Sequence, residues 1–265
     1  MPQNLEVRAL LLAAGLGTRL QPLTNNWPKC LMPINGRPLL DYWLYILRQI
    51  GISHAVVNTH YLAEVVSEFL KRPQFNDWVN EVYEPELLGT ASTLLHNKVF
   101  FQNATTLLVH ADNWCQCDFA EFIHYHHYSR PSGCLITMMT FDTDIPESCG
   151  VVELDSQNRV VGFYEKVSNP PGNRANAAVY LLEPEVLDWM EKHPDVTDFS
   201  TQVLPQFIGR IATWHNFEIH RDIGTYTALF EAQSDPLPLI EWSEPDSWQE
   251  MFEKNPIHSV INEGK

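Results

Sequence analysis

Near the N-terminus, Val7-Arg8-Ala9-Leu10-Leu11-Leu12-Ala13-Ala14 forms an almost unbroken apolar run that stops at a glycine. A strand with one wet face alternates polar and apolar residues. A run without alternation predicts a strand covered on both faces, as in a parallel sheet. The chain that follows must therefore supply crossover helices. Leu39–Gln49 carries apolar residues at helical spacing and ends at Gly51, suited to terminate a helix. Ala55–Asn58 reads as a strand, Leu62–Leu70 as a helix, Val79–Tyr83 as a strand and Thr90–Phe101 as a helix. Thr106–Val109 is a second fully buried strand, leading into Ala111-Asp112-Asn113. This alternation predicts an α/β first half around a mainly parallel sheet.

The second half reads differently. Gly133–Phe141 and Gly150–Leu154 look like strands, Ser156-Gln157-Asn158 like a turn, and Val160–Lys166 like the returning arm of a hairpin. A loop at Asn169-Pro170-Pro171-Gly172-Asn173 precedes a strand at Ala175–Leu182 and a helix from Pro184 to Lys192. After Ser234 the chain is rich in Pro and Trp, and its sequence leaves open whether it caps the domain or a partner subunit. Residues 1–234 are thus expected to form the working domain, with residues 235–265 as a C-terminal tail. No internal repeat is visible.

Composition narrows the function classes. With 45% apolar and 19% charged residues, the chain can bury a core. The formal charge of −16 argues against a general nucleic-acid binder or an anionic-membrane binder, because phosphate neutralisation needs a Lys/Arg surface. A phosphate-handling site must then concentrate a few basic residues locally. The N-terminus has no signal-peptide pattern, and its longest apolar run, Ala9 to Ala14, is too short to span a bilayer, so a cytoplasmic protein is expected. Cys30, Cys115, Cys117, Cys134 and Cys149 are scattered and odd in number, which reads as reduced thiols. His124, His126 and His127 read as solvated helix histidines rather than metal ligands.

The loop after the first strand carries the chemistry. Glycines two apart, Gly15 and Gly17, allow positive φ and let backbone N–H groups point at a phosphate. Arg19 and Lys29 add two cations for a polyphosphate. The loop is not a dinucleotide fingerprint, because position 20 is Leu, and G-K-[ST] of a P-loop is absent. The full string, G-x-G-T-R-L-x-P-L-T-x-x-x-P-K from Gly15 to Lys29, resembles the signature of sugar-1-phosphate nucleotidyltransferases. Further segments are similar to the same family: Glu84-Pro85-Glu86-Leu87-Leu88-Gly89-Thr90-Ala91, Leu108-Val109-His110-Ala111-Asp112, Cys149-Gly150-Val151-Val152, Phe163-Tyr164-Glu165-Lys166, Asn176-Ala177-Ala178-Val179-Tyr180 and Arg221-Asp222-Ile223-Gly224-Thr225. Cys30, His110 and Ala178 depart from the pattern, at positions where the family has Pro, Gly and Gly.

The resemblance implies a three-layer α/β sandwich with a mixed, mainly parallel sheet, Rossmann-like, of nucleotide-diphospho-sugar transferase type. It implies the reaction NTP + sugar 1-phosphate → NDP-sugar + pyrophosphate. On that reading Leu12, Ala13, Ala14, Gly15, Gly17, Thr18, Arg19, Lys29, Glu84, Gly89, Thr90 and Asp112 contact the nucleotide. Asn113, Gly150, Glu165, Lys166 and Asn176 contact the sugar phosphate. Asp112 and Asp222 hold Mg²⁺, and Arg19, Lys29 and Lys166 carry the catalysis by positioning and charge neutralisation. The partners implied are small-molecule substrates, and a homo-oligomer is left open.

Glu84 bears on the base. A carboxylate accepts two bonds, which suits the adjacent N1–H and N2–H₂ of guanine, whereas uracil and thymine offer one N–H between two carbonyls and suit an amide. This favours GTP over UTP, dTTP or CTP. The overall string looks most similar to mannose- or heptose-1-phosphate guanylyltransferases of surface-polysaccharide pathways. Two other classes compete, a catalytically silent nucleotide-sugar sensor and a glycosyltransferase. The joint retention of Arg19, Lys29, Asp112, Lys166 and Asp222 speaks against the first. The second would need a D-x-D metal motif, and Asp142-Thr143-Asp144 lies in a Pro-bounded loop.

Overall fold

The structure is a computed structural model that describes residues 5–263. Its main elements are β1 (Val7–Leu12), α1 (Leu39–Gln49), β2 (Ala55–Thr59), α2 (Ala63–Leu70), β3 (Val79–Tyr83), α3 (Thr90–His96), β4 (Thr105–His110) and β5 (Asn113–Gln116). They continue with α4 (Phe119–His124), β6 (Ile136–Asp142), β7 (Gly150–Leu154), β8 (Val160–Glu165), β9 (Arg174–Leu182) and α5 (Pro184–Glu191). The chain closes with β10 (Ile211–His215), β11 (Ile219–Asp222), α6 (Tyr226–Ala232), α7 (Ser247–Glu253) and α8 (Ile257–Glu263). It divides into two compact units that interleave in sequence. One takes residues up to 10 with 88–109 and 117–218; the other takes 11–87, 110–116 and the residues from 219 on.

In the first unit the strand order is β8-β7-β9-β4-β1, with β6 also on β9 and β10 on β6. The sheet is mixed. β9 runs antiparallel to β4, β6 and β7, while β10 runs parallel to β6 with Ile211 opposite Ile136. Leu107, Leu108 and Val109 are fully buried, as their unalternating sequence predicts, and Val151, Val179 and Leu181 are buried as well. In the second unit β2 and β3 pair in parallel, Ala55 opposite Val79, and every residue of β2 is buried. Helix α1 packs its apolar face inward and ends at Gln49, with Ile50 as its cap and Gly51 following at φ +88°. The tail helices α7 and α8 belong to this unit, and the Trp248 and Phe252 rings of α7 lie 6.3 and 5.5 Å from that of Trp27.

Three expectations need correction. The helix predicted over Thr90–Phe101 stops at His96, because Asn97 turns its Nδ2 back to donate to the Thr93 carbonyl at 2.9 Å and ends the turn. Gly15 does not adopt a positive φ; Gly17 alone of the pair does. His126 is not solvated. It lies fully buried in a π-turn after α4, with Nδ1 2.7 Å from Thr137 Oγ1 and Nε2 3.1 Å from Glu183 Oε1, and burial pushes its pKa down to about 4. It is a neutral core residue. The five cysteines are free thiols. Among the described residues, no helix is long and apolar enough to cross a membrane.

Candidate active site

The glycine loop turns sharply because Gly17 sits at φ +63°, where a Cβ would lie 2.7 Å from Thr24 Cγ2 and 3.3 Å from Lys29 Cβ. No other residue fits there. Thr24 locks the turn by donating its hydroxyl to the Gly17 carbonyl at 2.8 Å. A Cβ on Gly15 would meet nothing within 4 Å, so that position lies open to an approaching group. Thr18 and Arg19 occupy one helical turn after the glycines, and Lys29 opens another after Pro28.

The acids come from further along the chain. β5 and β11 form an antiparallel ladder in which Asp222 stands opposite Asn113, the neighbour of Asp112. That register brings two aspartates 110 positions apart onto one lysine. Lys29 Nζ donates to Asp112 Oδ2 at 2.8 Å and to Asp222 Oδ1 at 2.6 Å. Arg19 Nη2 donates to the other oxygen, Asp222 Oδ2, at 2.8 Å. Lys29 is buried, which disfavours its charge, yet the two aspartates outweigh this and raise its pKa. Burial likewise favours the neutral form of Asp222, but Lys29 and Arg19 hold its pKa down to about 2. Arg19, Lys29 and Asp222 are therefore charged at neutral pH.

Sequence reasoning missed what Gly224 does for the arrangement seen. A Cβ there would lie 2.5 Å from Arg19 Nη2, so the absent side chain is what lets the guanidinium reach Asp222. Cys30, one of the departures, is buried, and burial pushes its thiol up to about 12, leaving it without nucleophilic character.

The base-loop residue Glu84 is buried rather than a surface acid. Its N–H donates to the Thr59 carbonyl at 2.8 Å, and its Oε1 accepts from Asn58 Nδ2 at 3.0 Å. Asn58, on β2, accepts from the Ala13 N–H at 2.8 Å. Asn58 was legible only as one polar residue in an apolar strand. Leu12 accepts from the Ala111 N–H through its carbonyl at 3.0 Å. Asn113 is buried, and its carbonyl accepts from Trp43 Nε1 at 2.9 Å.

Ala14 is buried in the second unit, and the remaining predicted residues lie in the first. Gly89 has φ +89°, and a Cβ on it would come 2.5 Å from the Thr197 carbonyl oxygen. Thr90 Oγ1 accepts from the Phe199 N–H at 2.8 Å, so its hydroxyl holds local structure. Gly150 and Glu165 face each other across the β7–β8 hairpin; a Cβ on Gly150 would lie 2.5 Å from Glu165 Oε2. Lys166 follows at φ +50°, exposed, its Nζ 3.6 Å from Glu165 Oε1. Ala175 pairs with Val151, which sets Asn176 beside Gly150. Asn176 Nδ2 donates to the buried Tyr180 hydroxyl at 2.6 Å and its Oδ1 accepts from the Ala178 N–H at 2.9 Å. Two groups therefore assemble in separate units: Arg19, Lys29, Asp112 and Asp222 in one, and Gly150, Glu165, Lys166 and Asn176 in the other.

The donor set of Asp112 and Asp222 suits a hard divalent cation, since both offer carboxylate oxygens and both are partly exposed. Among the described residues no cluster of three or more His, Cys, Asp or Glu is placed to hold a metal. Two carboxylates, with the rest of the shell left to water and phosphate, is the pattern Mg²⁺ accepts and a dedicated protein cage is not.

Residues 8–237 match the nucleotidyl transferase family model. A mannose-1-phosphate guanyltransferase 2 of Candida glabrata is 32% identical over 76% of this chain and 56% of its own length. A mannose-1-phosphate guanylyltransferase of Mycobacterium tuberculosis is 29% identical over 87% of this chain and 64% of its own. The chain thus spans little more than half the length of these curated relatives. A solved structure from Bacillus anthracis, described provisionally as a glucose-1-phosphate thymidylyltransferase, superposes with a TM-score of 0.75 at 22% identity, covering 86% of this chain and 94% of the other, and supports the fold. By this match over residues 8–237, nearly its whole length, the chain belongs to the nucleotidyl transferase family.

Proposed function

We propose that the chain transfers a guanylyl group from GTP to a sugar 1-phosphate of manno configuration, mannose 1-phosphate or D-manno-heptose 1-phosphate, releasing pyrophosphate. The GDP-sugar would serve surface-polysaccharide synthesis. The single observation that carries the reading is the meeting of Arg19, Lys29, Asp112 and Asp222 beside the glycine loop. The attacking sugar phosphate is already an anion, so no strong base is needed. What the reaction needs is relief of repulsion between two polyanions. Arg19 and Lys29 bind the triphosphate. The Arg19 side chain is 65% exposed and holds Asp222 by a charge-assisted bond, the same geometry that a phosphate oxygen offers, so it exchanges one anion for the other at little cost. Lys166 binds the sugar phosphate, with Glu165 and Asn176 on the sugar hydroxyls. Asp112 and Asp222 would hold Mg²⁺, which when bound neutralises charge on the phosphates. Glu84 reads guanine; its burial is the observation that supports a bonding role over that of a surface acid. The relatives named as mannose-1-phosphate guanylyltransferases support the same base and sugar.

Pyrophosphate release from GTP, UTP, dTTP and CTP, each with mannose and heptose 1-phosphate, tests the proposal. Turnover with GTP and one manno-configured sugar is expected. Strong preference for UTP would remove the guanine assignment, and binding of GDP-sugar without turnover of any nucleotide would make the chain a sensor.

A further inference from the structure

We infer that Asn58 is a positioning residue that couples the phosphate loop to the choice of base. The inference rests on the guanine reading of Glu84. Asn58 is a buried amide that follows three apolar residues on β2, and such a group persists only when both ends are bonded. Its orientation is forced. A backbone N–H only donates, so the atom 2.8 Å from Ala13 N is the carbonyl oxygen Oδ1. The amide nitrogen then faces Glu84 Oε1 at 3.0 Å and donates to it. One rigid side chain thus ties the strand end that leads into Gly15 to the carboxylate proposed to read the base. A second contact fixes the same segment, since the Glu84 N–H is bonded to the carbonyl of Thr59, the residue after Asn58. Glu84 cannot turn without disturbing Asn58, and Asn58 cannot turn without releasing Ala13.

The chemistry specifies a donor at position 58 and an acceptor at 84. Asn58→Asp keeps the acceptor toward Ala13 but sets a carboxylate against the Glu84 carboxylate. Glu84→Gln supplies a donor at 84. The double variant Asn58→Asp/Glu84→Gln exchanges donor and acceptor across the same gap and restores a bond.

The test is calorimetric binding of GTP and UTP, with thermal melting, for both single variants, the double and Asn58→Ser. Asn58→Asp is expected to weaken GTP roughly tenfold or more, the size of one lost charge-assisted bond, and UTP much less. The double variant should regain the melting temperature lost by Asn58→Asp and show the base preference of Glu84→Gln alone. Asn58→Ser, which avoids the repulsion, should fold and still lower the GTP-to-UTP ratio. Equal losses for both nucleotides in Asn58→Asp and Asn58→Ser, with Glu84→Gln still shifting the ratio, would overturn the coupling and leave the base reading intact. An unshifted ratio in Glu84→Gln would overturn the base reading and the coupling with it.

Discussion

Two places in the second unit have the same composition and opposite character: a buried cation between two aspartates. At one, Lys29 joins Asp112 and Asp222. At the other, Arg72 bonds Asp41 Oδ1 through Nη1 and Asp246 Oδ2 through Nε, each at 2.7 Å. The cations are alike, with side chains 6% and 4% exposed. The acids are not: Asp112 and Asp222 are 31% and 45% exposed, against 0% and 20% for Asp41 and Asp246. Arg72 is also enclosed by rings, with Phe69, Phe75 and Trp248 centroids 5.1 to 5.3 Å from its guanidinium. Asp246 caps α7 by accepting from the Gln249 N–H at 2.9 Å. The Arg72 cluster therefore latches the C-terminal tail to α1. The Lys29 cluster leaves carboxylate oxygens and the Arg19 guanidinium within reach of a ligand. Access of solvent to the acids, not the presence of paired charge, separates the proposed binding site from a structural bolt.

The largest expected effect breaks the bolt. Arg72→Ala strands Asp41 as a buried charge and should lower stability by about 3–5 kcal/mol in urea unfolding, whereas Arg72→Met/Asp41→Leu should lose much less. Equal losses would show that Asp41 is not buried as described. At the open cluster the cost falls on chemistry. Asp222→Asn or Asp112→Asn should slow pyrophosphate release by about two to three orders of magnitude while costing no more than about 2 kcal/mol of unfolding free energy. Wild-type rates in either variant would remove that aspartate from the site.

The two clusters should also part company in acid. Burial pushes Asp41 up to about 6, offset only in part by Arg72 and Arg37. An unfolded carboxylate titrates near about 3.9, so between about pH 4 and 6 the folded state binds more protons at Asp41 and stability falls as pH rises. Asp222 is held down to about 2, so its contribution is full above about pH 4 and is lost as pH falls toward 2. Stability against pH should lose its upper slope in Asp41→Asn and soften its lower slope in Asp222→Asn. One variant altering both slopes would erase the distinction. The smallest effect is a control outside both clusters. Ala178 holds φ +54° where the family pattern has Gly, and Ala178→Gly should stabilise by about 0.5–1 kcal/mol without moving either slope.

Legibility in the sequence followed the range of the forces involved. The limits of α1, β3 and β7 match the reading of the chain because apolar spacing is a local property. β5 and β11 were not readable: four residues of mixed character each, they are strands because they pair with one another across the sequence. His126 misled for the same reason, its solvation being set by Thr137 and Glu183. The tail's aromatic residues were visible, but not that Trp242 lies 4.7 Å from Tyr45 and 4.1 Å from the Arg37 guanidinium.

By itself the sequence determined the α/β class, the buried first strand, the glycine turn and the identities of the charged residues around it, because backbone sterics and hydrophobic periodicity act over a few residues. Only the tertiary structure decided that Lys29 is shared by Asp112 and Asp222, that Gly224 clears a path for Arg19, and that Asn58 ties Ala13 to Glu84. Those pairings depend on strand register and on which groups lose water, and neither is written in any short stretch of chain.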